Sequence, residues 1–169
     1  MQKLNSSRQR GMTLIEVLVS VLILAIGLLG AAAIQLNALK YTDSATMSSQ
    51  ASFIAYDMMD RIRANVDGNA VANGTTDVLT TYGLANLAAA PSAGSDARSI
   101  DLSDFRNNIT NFAGADGAES NIIIDRPIVT ITVVWDDARA LRSSEGATGA
   151  PLAGSKRSFV LSSRIGINP

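Results

Sequence analysis

Few residues in this chain are equipped to do chemistry. Its 169 residues include no His and no Cys. That removes the usual near-neutral acid–base group, the thiolate nucleophile, disulfides and the Cys-based metal sites. The acidic clusters worth weighing are Asp136-Asp137 and the pair Asp57 and Asp60. Neighbours in a strand point to opposite faces, so Asp136 and Asp137 are poorly placed to share acid–base work. Asp57 and Asp60 have Arg61 and Arg63 at helical spacing, which explains them as pairs on a solvated helix face. A Ser nucleophile without His needs a Lys base. After the first eleven residues only Lys40 and Lys156 remain, and neither lies in a recognisable motif. These residues imply no catalysis, no cofactor and no metal site.

The charge that stands out is Glu16. Between Gly11 and Lys40 it is the only charged residue, at the edge of an otherwise apolar stretch. A carboxylate that close to a bilayer interior costs roughly a few kcal/mol and is usually functional. A single copy offers no cation inside the span, so the expected partner lies on another molecule.

The segment around Glu16 sets its place. Lys3, Arg8 and Arg10 precede Gly11, and the run from Met12 to Leu39 is 28 residues. As a helix it would measure roughly 42 Å at about 1.5 Å per residue, whereas a bilayer core of about 30 Å needs about 20 residues. A secretory signal would have a shorter apolar run, with its small-residue cleavage site after it rather than before it. Basic residues on the N-terminal side predict a cytoplasmic N-terminus and a C-terminal domain across the membrane. Without Lys3, Arg8 and Arg10 the formal net charge falls from −1 to −4, which argues against nucleic acid as the main ligand. Gly27, Gly30 and Ala31-Ala32-Ala33 bring small residues to the outer half of the span. Gly27 and Ala31, four apart, allow close helix approach. The same glycines lower helix stability by about 1 kcal/mol each relative to Ala, so tight packing and local unwinding both stay open.

Beyond Lys40 the apolar residues Met47, Ala51, Ile54, Met58 and Ile62 keep to one helical face. Gly68 with Asn65 and Asn69 supplies a stop. The spacing therefore predicts one helix from Thr13 to Val66, roughly 80 Å long. From Gly68 to about Arg98 the composition reads as a long surface connection, with an irregular helical turn near Leu84–Ala90. Leu102, Phe105, Ile109 and Phe112 predict a short amphipathic helix, capped at its start by Ser99, Asp101 or Ser103 and ended by Gly114. Ile122-Ile123-Ile124 is one strand. Pro127 is expected to open a second, with Val129, Ile131, Val133 and Trp135 on one face and Thr130 and Thr132 on the other. Phe159, Leu161, Ser163 and Ile165 alternate with Ser158, Val160, Ser162 and Arg164 in a third. The stretch from Arg139 to Lys156 reads as a mobile connection. Its Arg139 and Arg142, with Lys156 and Arg157, make a weak basic patch that is a solvated surface or a binding face. The expected fold class is α+β, a small antiparallel sheet with its apolar face on the second half of the long helix.

Gly11-Met12-Thr13-Leu14-Ile15-Glu16, after a basic leader and before an apolar helix, resembles the processing signal of type IV pilins and pseudopilins. The resemblance implies that a prepilin peptidase cuts between Gly11 and Met12 and methylates the new amine on Met12. It makes Glu16 the acid that serves assembly, and Gly27, Gly30 and Ala31 the helix-packing residues. This chain has Met12 where the family usually has Phe, no Pro before Pro91, and no Cys pair. Ile26-Gly27-Leu28-Leu29-Gly30, Ala55 to Asn65 and Val129 to Asp137 resemble the minor pilins of the PilV type. That implies a leader over 1–11, a transmembrane assembly helix over 12–39, an amphipathic continuation over 40–66 and a periplasmic head over 67–169. The implied subunit sits in the inner membrane before assembly and in a pilus at the cell surface after it. There it primes or tips the fibre and supports pilus biogenesis, twitching motility and adhesion. Its partners would be the peptidase, the major pilin, other minor pilins and the inner-membrane assembly platform. A minor pseudopilin of a type II secretion system is the alternative, and a tip-borne binding module a third reading. Cleavage would leave a cationic amine on Met12. In stacked subunits, one copy's amine can meet a neighbour's Glu16, which offsets the cost of burying each charge.

Overall fold

A computed structural model describes residues 12–66, 78–137 and 155–165. The element order is α1 (Leu14–Asn65), α2 (Val78–Thr81), a 3-10 turn (Leu87–Ala89), α3 (Ala97–Ala113), a second 3-10 segment (Gly114–Glu119), then β1 (Asn121–Asp125), β2 (Ile128–Asp136) and β3 (Lys156–Arg164). The chain divides into two compact units, one ending at Leu39 and one beginning at Lys40. In the first, the described residues are the start of α1 and two residues before it, and each of them is exposed.

The second unit has one hydrophobic core. From α1 it takes Ala51, Ala55, Met58, Met59 and Ile62, with Met47 and Ile54 half-buried against them. This is the helical face legible in the sequence, widened by Ala55 and Met59. From the sheet it takes Ile122, Val129, Ile131, Val133 and Trp135, with Phe159 and Leu161 beside them. The strands run antiparallel in the order β1-β2-β3, with Ile122 opposite Ile131 and Ile131 opposite Leu161. On the other face Thr130 and Ser162 share a hydroxyl hydrogen bond of 2.9 Å, a cross-strand pair of the kind that holds an exposed face in register. The whole is a long N-terminal helix with a small three-stranded antiparallel sheet, the α+β pilin-like arrangement.

Three expectations need correction. Pro127 does not open β2 but lies in the turn between β1 and β2. Having no N–H, it cannot donate to a ladder. Its carbonyl accepts instead from Ile165 N at 2.8 Å. Helix α3 begins at Ala97, earlier than Leu102, and its cap is Asp96. That carboxylate accepts from Ser99 N at 2.9 Å and from Ser99 Oγ at 2.6 Å. The Ser99 hydroxyl and then its N–H hold the Asp96 carboxyl below the usual range. Gly114 does end α3, with a φ of 60° that favours glycine.

The third correction concerns residues 78–98, read as a surface connection. Leu79, Tyr82, Leu84, Leu87 and Ala90 are all buried. Their spacings fit neither a helix nor a strand for long, so periodicity does not betray them. Local bonds fix their course: Asn86 caps the 3-10 turn by accepting from Ala89 N, and Arg106 Nη1 donates to Ala90 O at 3.0 Å.

Nor is Arg61 only one half of a surface pair. Its Nε meets Asp57 at 2.9 Å as the spacing predicts, and its Nη1 reaches Asp101 at 3.2 Å and Asp104 at 3.0 Å. Asp101 is 6% exposed. Its Oδ2 accepts from Asn65 Nδ2 at 2.7 Å and from Tyr82 Oη at 2.8 Å. Burial disfavours the charge on Arg61, but Asp101, Asp57 and Asp104 outweigh it and hold the pKa above its ordinary value. Burial, then the bond to Asp101, pushes the Tyr82 hydroxyl up to about 12.

Two predictions follow from this network. Asp101→Ala takes a partner from Tyr82, Asn65 and Arg61 at once, leaving Arg61 to Asp57 and Asp104 and Asn65 to Tyr82, and should lower unfolding stability by about 2 kcal/mol. Asp57→Ala, at an exposed pair, should cost less than about 1 kcal/mol; denaturant melts compare the two. Tyr82 titrates near 10 when unfolded and at about 12 when folded. Its contribution is therefore fully present below pH 10 and lost as pH rises through 12, with about 2 kcal/mol gone by pH 12. Between pH 9 and 12 the native chain should lose that much relative to Tyr82→Phe, which has no such proton.

Candidate functional site

The residues of interest in the first unit sit at the start of α1 and along its apolar surface. Gly11 and the leader lie outside the described residues. Met12 is exposed, and Thr13 directly precedes α1. Thr13 Oγ1 accepts from Glu16 N at 3.4 Å, while Thr13 O accepts from Glu16 N at 3.1 Å and from Val17 N at 3.3 Å. Thr13 is thus the N-cap, and Glu16 occupies the third helical position. Thr-Leu-Ile-Glu has the spacing of a capping box, a signal present in the sequence and overlooked in reading Glu16 only as a membrane charge. An acid in the first turn also complements the positive end of the helix dipole. One turn on, Ser20 Oγ donates to Glu16 O at 2.7 Å.

The surface that follows is apolar all round. Leu14, Ile15, Leu18, Leu22, Ile23 and Leu24 are each more than half exposed, and this is the one helix, among the described residues, long and apolar enough to cross a membrane. Gly27 and Gly30 lie within it. A methyl group added at either would meet nothing within 4 Å. No contact among the described residues therefore requires glycine there. Their cost in helix propensity, about 1 kcal/mol each, is not offset by packing among those residues.

The second unit disperses the other candidates. Asp137 is 5% exposed and accepts from Ser44 Oγ at 2.6 Å, with Arg157 Nε 3.8 Å away. Asp60 pairs with Arg63 at 2.9 Å. Lys156 pairs with Glu119. Arg139 and Arg142 lie outside the described residues, so the expected basic patch is represented by Lys156 and Arg157 alone. Asp43, Asp116, Asp136 and Asp137 line a cleft of about 220 Å³ beside Trp135 and Phe112. Among the described residues no three acidic side chains are grouped so as to hold a metal ion. Trp135 is the inward anchor that its position implies, with its ring 5.9 Å from that of Phe112, edge on.

Residues 6–32 match the family model described as the prokaryotic N-terminal methylation motif. That stretch contains Gly11, Met12, Glu16, Gly27, Gly30 and Ala31, and it is the prepilin-type signal of pilin-like proteins. No curated protein and no solved structure matches the chain.

If the two glycines answer to something outside the chain, Gly27→Ala/Gly30→Ala should leave the isolated subunit at least as helical in detergent. Circular dichroism checks this, and a loss of helicity would show an internal role that the open space around them does not suggest.

Proposed function

We propose that this chain is a minor pilin, a structural subunit that enters a type IV pilus through its N-terminal helix. The observation that carries the reading is the prepilin motif over residues 6–32, which overlaps the first part of α1, where every residue from Leu14 to Leu39 is exposed. A helix of that kind is stable only against lipid or other helices. The unit from Lys40 onward has its own core, built by the later part of α1 and the residues that follow it.

In this reading residues 1–11 are the leader, held in the cytoplasm by Lys3, Arg8 and Arg10. The helix over 12–39 anchors the precursor in the inner membrane, 40–66 continues it, and 67–169 form the periplasmic head. The peptidase cuts between Gly11 and Met12, and Met12 receives the methyl group. The freed amine is a cation at neutral pH. In the low dielectric of a helical bundle, the amine of one subunit and Glu16 of the next attract strongly, and each lowers the cost of burying the other. Glu16 thus guides entry into the fibre, while Gly27, Gly30 and Ala31 let neighbouring helices approach or let the helix loosen there. The remaining roles are priming or capping the fibre, alongside the major pilin, other minor pilins and the assembly platform. The likeness of residues 55–65 and 129–137 to minor pilins of the PilV type favours a pilus over a secretion pseudopilus.

Three measurements test this. Mass spectrometry of membrane material should find a methylated Met12 terminus, and a Gly11 substitution should leave the leader attached. A Glu16→Ala subunit should still be cut yet be depleted from sheared pili by roughly tenfold or more, the size of effect expected for one unpaired buried charge; normal incorporation would overturn the role given to Glu16. Deleting the gene should reduce surface pili and twitching and leave exoprotein secretion intact. The opposite pattern would move the chain to a type II secretion system.

A further inference from the structure

The sheet treats its two edges differently. At β1, Leu84 forms a bridge to Ile122: Leu84 N donates to Ile122 O at 2.9 Å and Ile122 N donates to Leu84 O at 2.8 Å. At the other edge, β3 pairs with β2 along all 9 of its residues. Among the described residues its backbone has no further hydrogen-bonded strand or loop. Alternate N–H and C=O groups of β3 therefore face away from the sheet, a ready template for another strand.

Edge strands are commonly blunted by shortness, Pro, a bulge or a central charge. β3 is long, carries no Pro, and keeps its register without a bulge. Its centre, Ser158 to Ser163, is uncharged, and Val160 there is 55% exposed. Charge is confined to the ends: Lys156 and Arg157 at one, Arg164 at the other. The carboxylates that answer the first two, Glu119 and Asp137, come from the 3-10 segment preceding β1 and from the residue after β2. So paired, the Lys156 and Arg157 side chains are still 53% and 57% exposed, and Arg164 is exposed at the other end.

We propose that the outer edge of β3 accepts an extended strand of a partner protein, apolar or hydroxyl-bearing at its centre and acidic at both ends. A second copy of β3 is the wrong occupant. Antiparallel pairing would set Arg164 against Lys156, and parallel pairing would set each cation against its twin, both unfavourable directly across a ladder. The inference rests on the sheet alone and stands whether or not the chain enters a pilus.

The test uses the full chain in detergent micelles and two synthetic peptides, each with a Thr-Val-Thr-Val-Thr centre. One has two glutamates at each end and the other two lysines. Residue-resolved amide exchange of β3 is the readout. Alone, the chain should show fast exchange at alternate β3 amides and slow exchange at those bonded to β2. The glutamate peptide at about ten times its Kd should slow the fast set about tenfold, and the lysine peptide should not. Arg164→Glu should weaken the glutamate peptide about threefold, as one cross-strand ion pair is lost and a repulsion gained. Slow exchange at every β3 amide in the isolated chain would overturn the proposal, since the edge would already be covered. Equal protection by both peptides, or by neither, would overturn it too. So would concentration-dependent protection without peptide, which would make a second copy the occupant.

Discussion

The constraint on which the rest depends is an apolar surface that no described part of the chain buries. From Leu14 to Leu39 the side chains of α1 touch no core. Each turn of exposed leucine and isoleucine would order water at a cost that a soluble protein avoids. Two environments relieve it, hydrocarbon and other helices, and a subunit that passes from a membrane into a fibre uses both in turn. A charge in such a segment has to be satisfied in each. Near the bilayer surface the capping position gives Glu16 the helix's own positive end, with water within reach. In a dry bundle only a cation supplied by a neighbour can do the same. One residue can thus serve the free and the assembled states by different means.

The head shows a second constraint, that of tying irregular segments to a helix. Residues 78–90 contribute five core side chains and have little regular structure. Asp101 draws them in, since its carboxylate is shared by Tyr82 from that segment and by Asn65 and Arg61 from α1. Arg61 and Asn65 belong to the stretch that resembles minor pilins of the PilV type. The structure gives both residues a structural task in the head, so that resemblance speaks to how the head is built as much as to where the subunit works.

How much of this was legible in the sequence follows from which signals are local. The bounds of α1 differ from the expected ones by a single residue at each end, because its period and its stop are written in consecutive residues. β2 was legible from strict alternation, apart from Pro127, whose lack of an N–H matters only where a ladder partner exists. The cap of α3 was misplaced since Ser99, Asp101 and Ser103 are all capping types, and only the fold buries Asp101 beneath Tyr82. The run from 78 to 90 was misread because its apolar residues follow the contours of a core built by others. At the start of α1 the residue types and their order were readable, including the spacing of a capping box, while the assembly role proposed for Glu16 depends on a neighbour that is no part of this chain. The expected connection between Arg139 and Lys156 falls largely outside the described residues.

The core of the head begins at Met47 on α1. Among the described residues no buried side chain lies before Lys40. The described side chains of the first part of the helix thus take no share in that core. In the proposed role, drift in that segment would be limited by lipid, by the processing enzyme and by the helices it docks against. A lesion in it would accordingly spare every core side chain and, in the proposed role, show itself only when the subunit is asked to take its place among its neighbours.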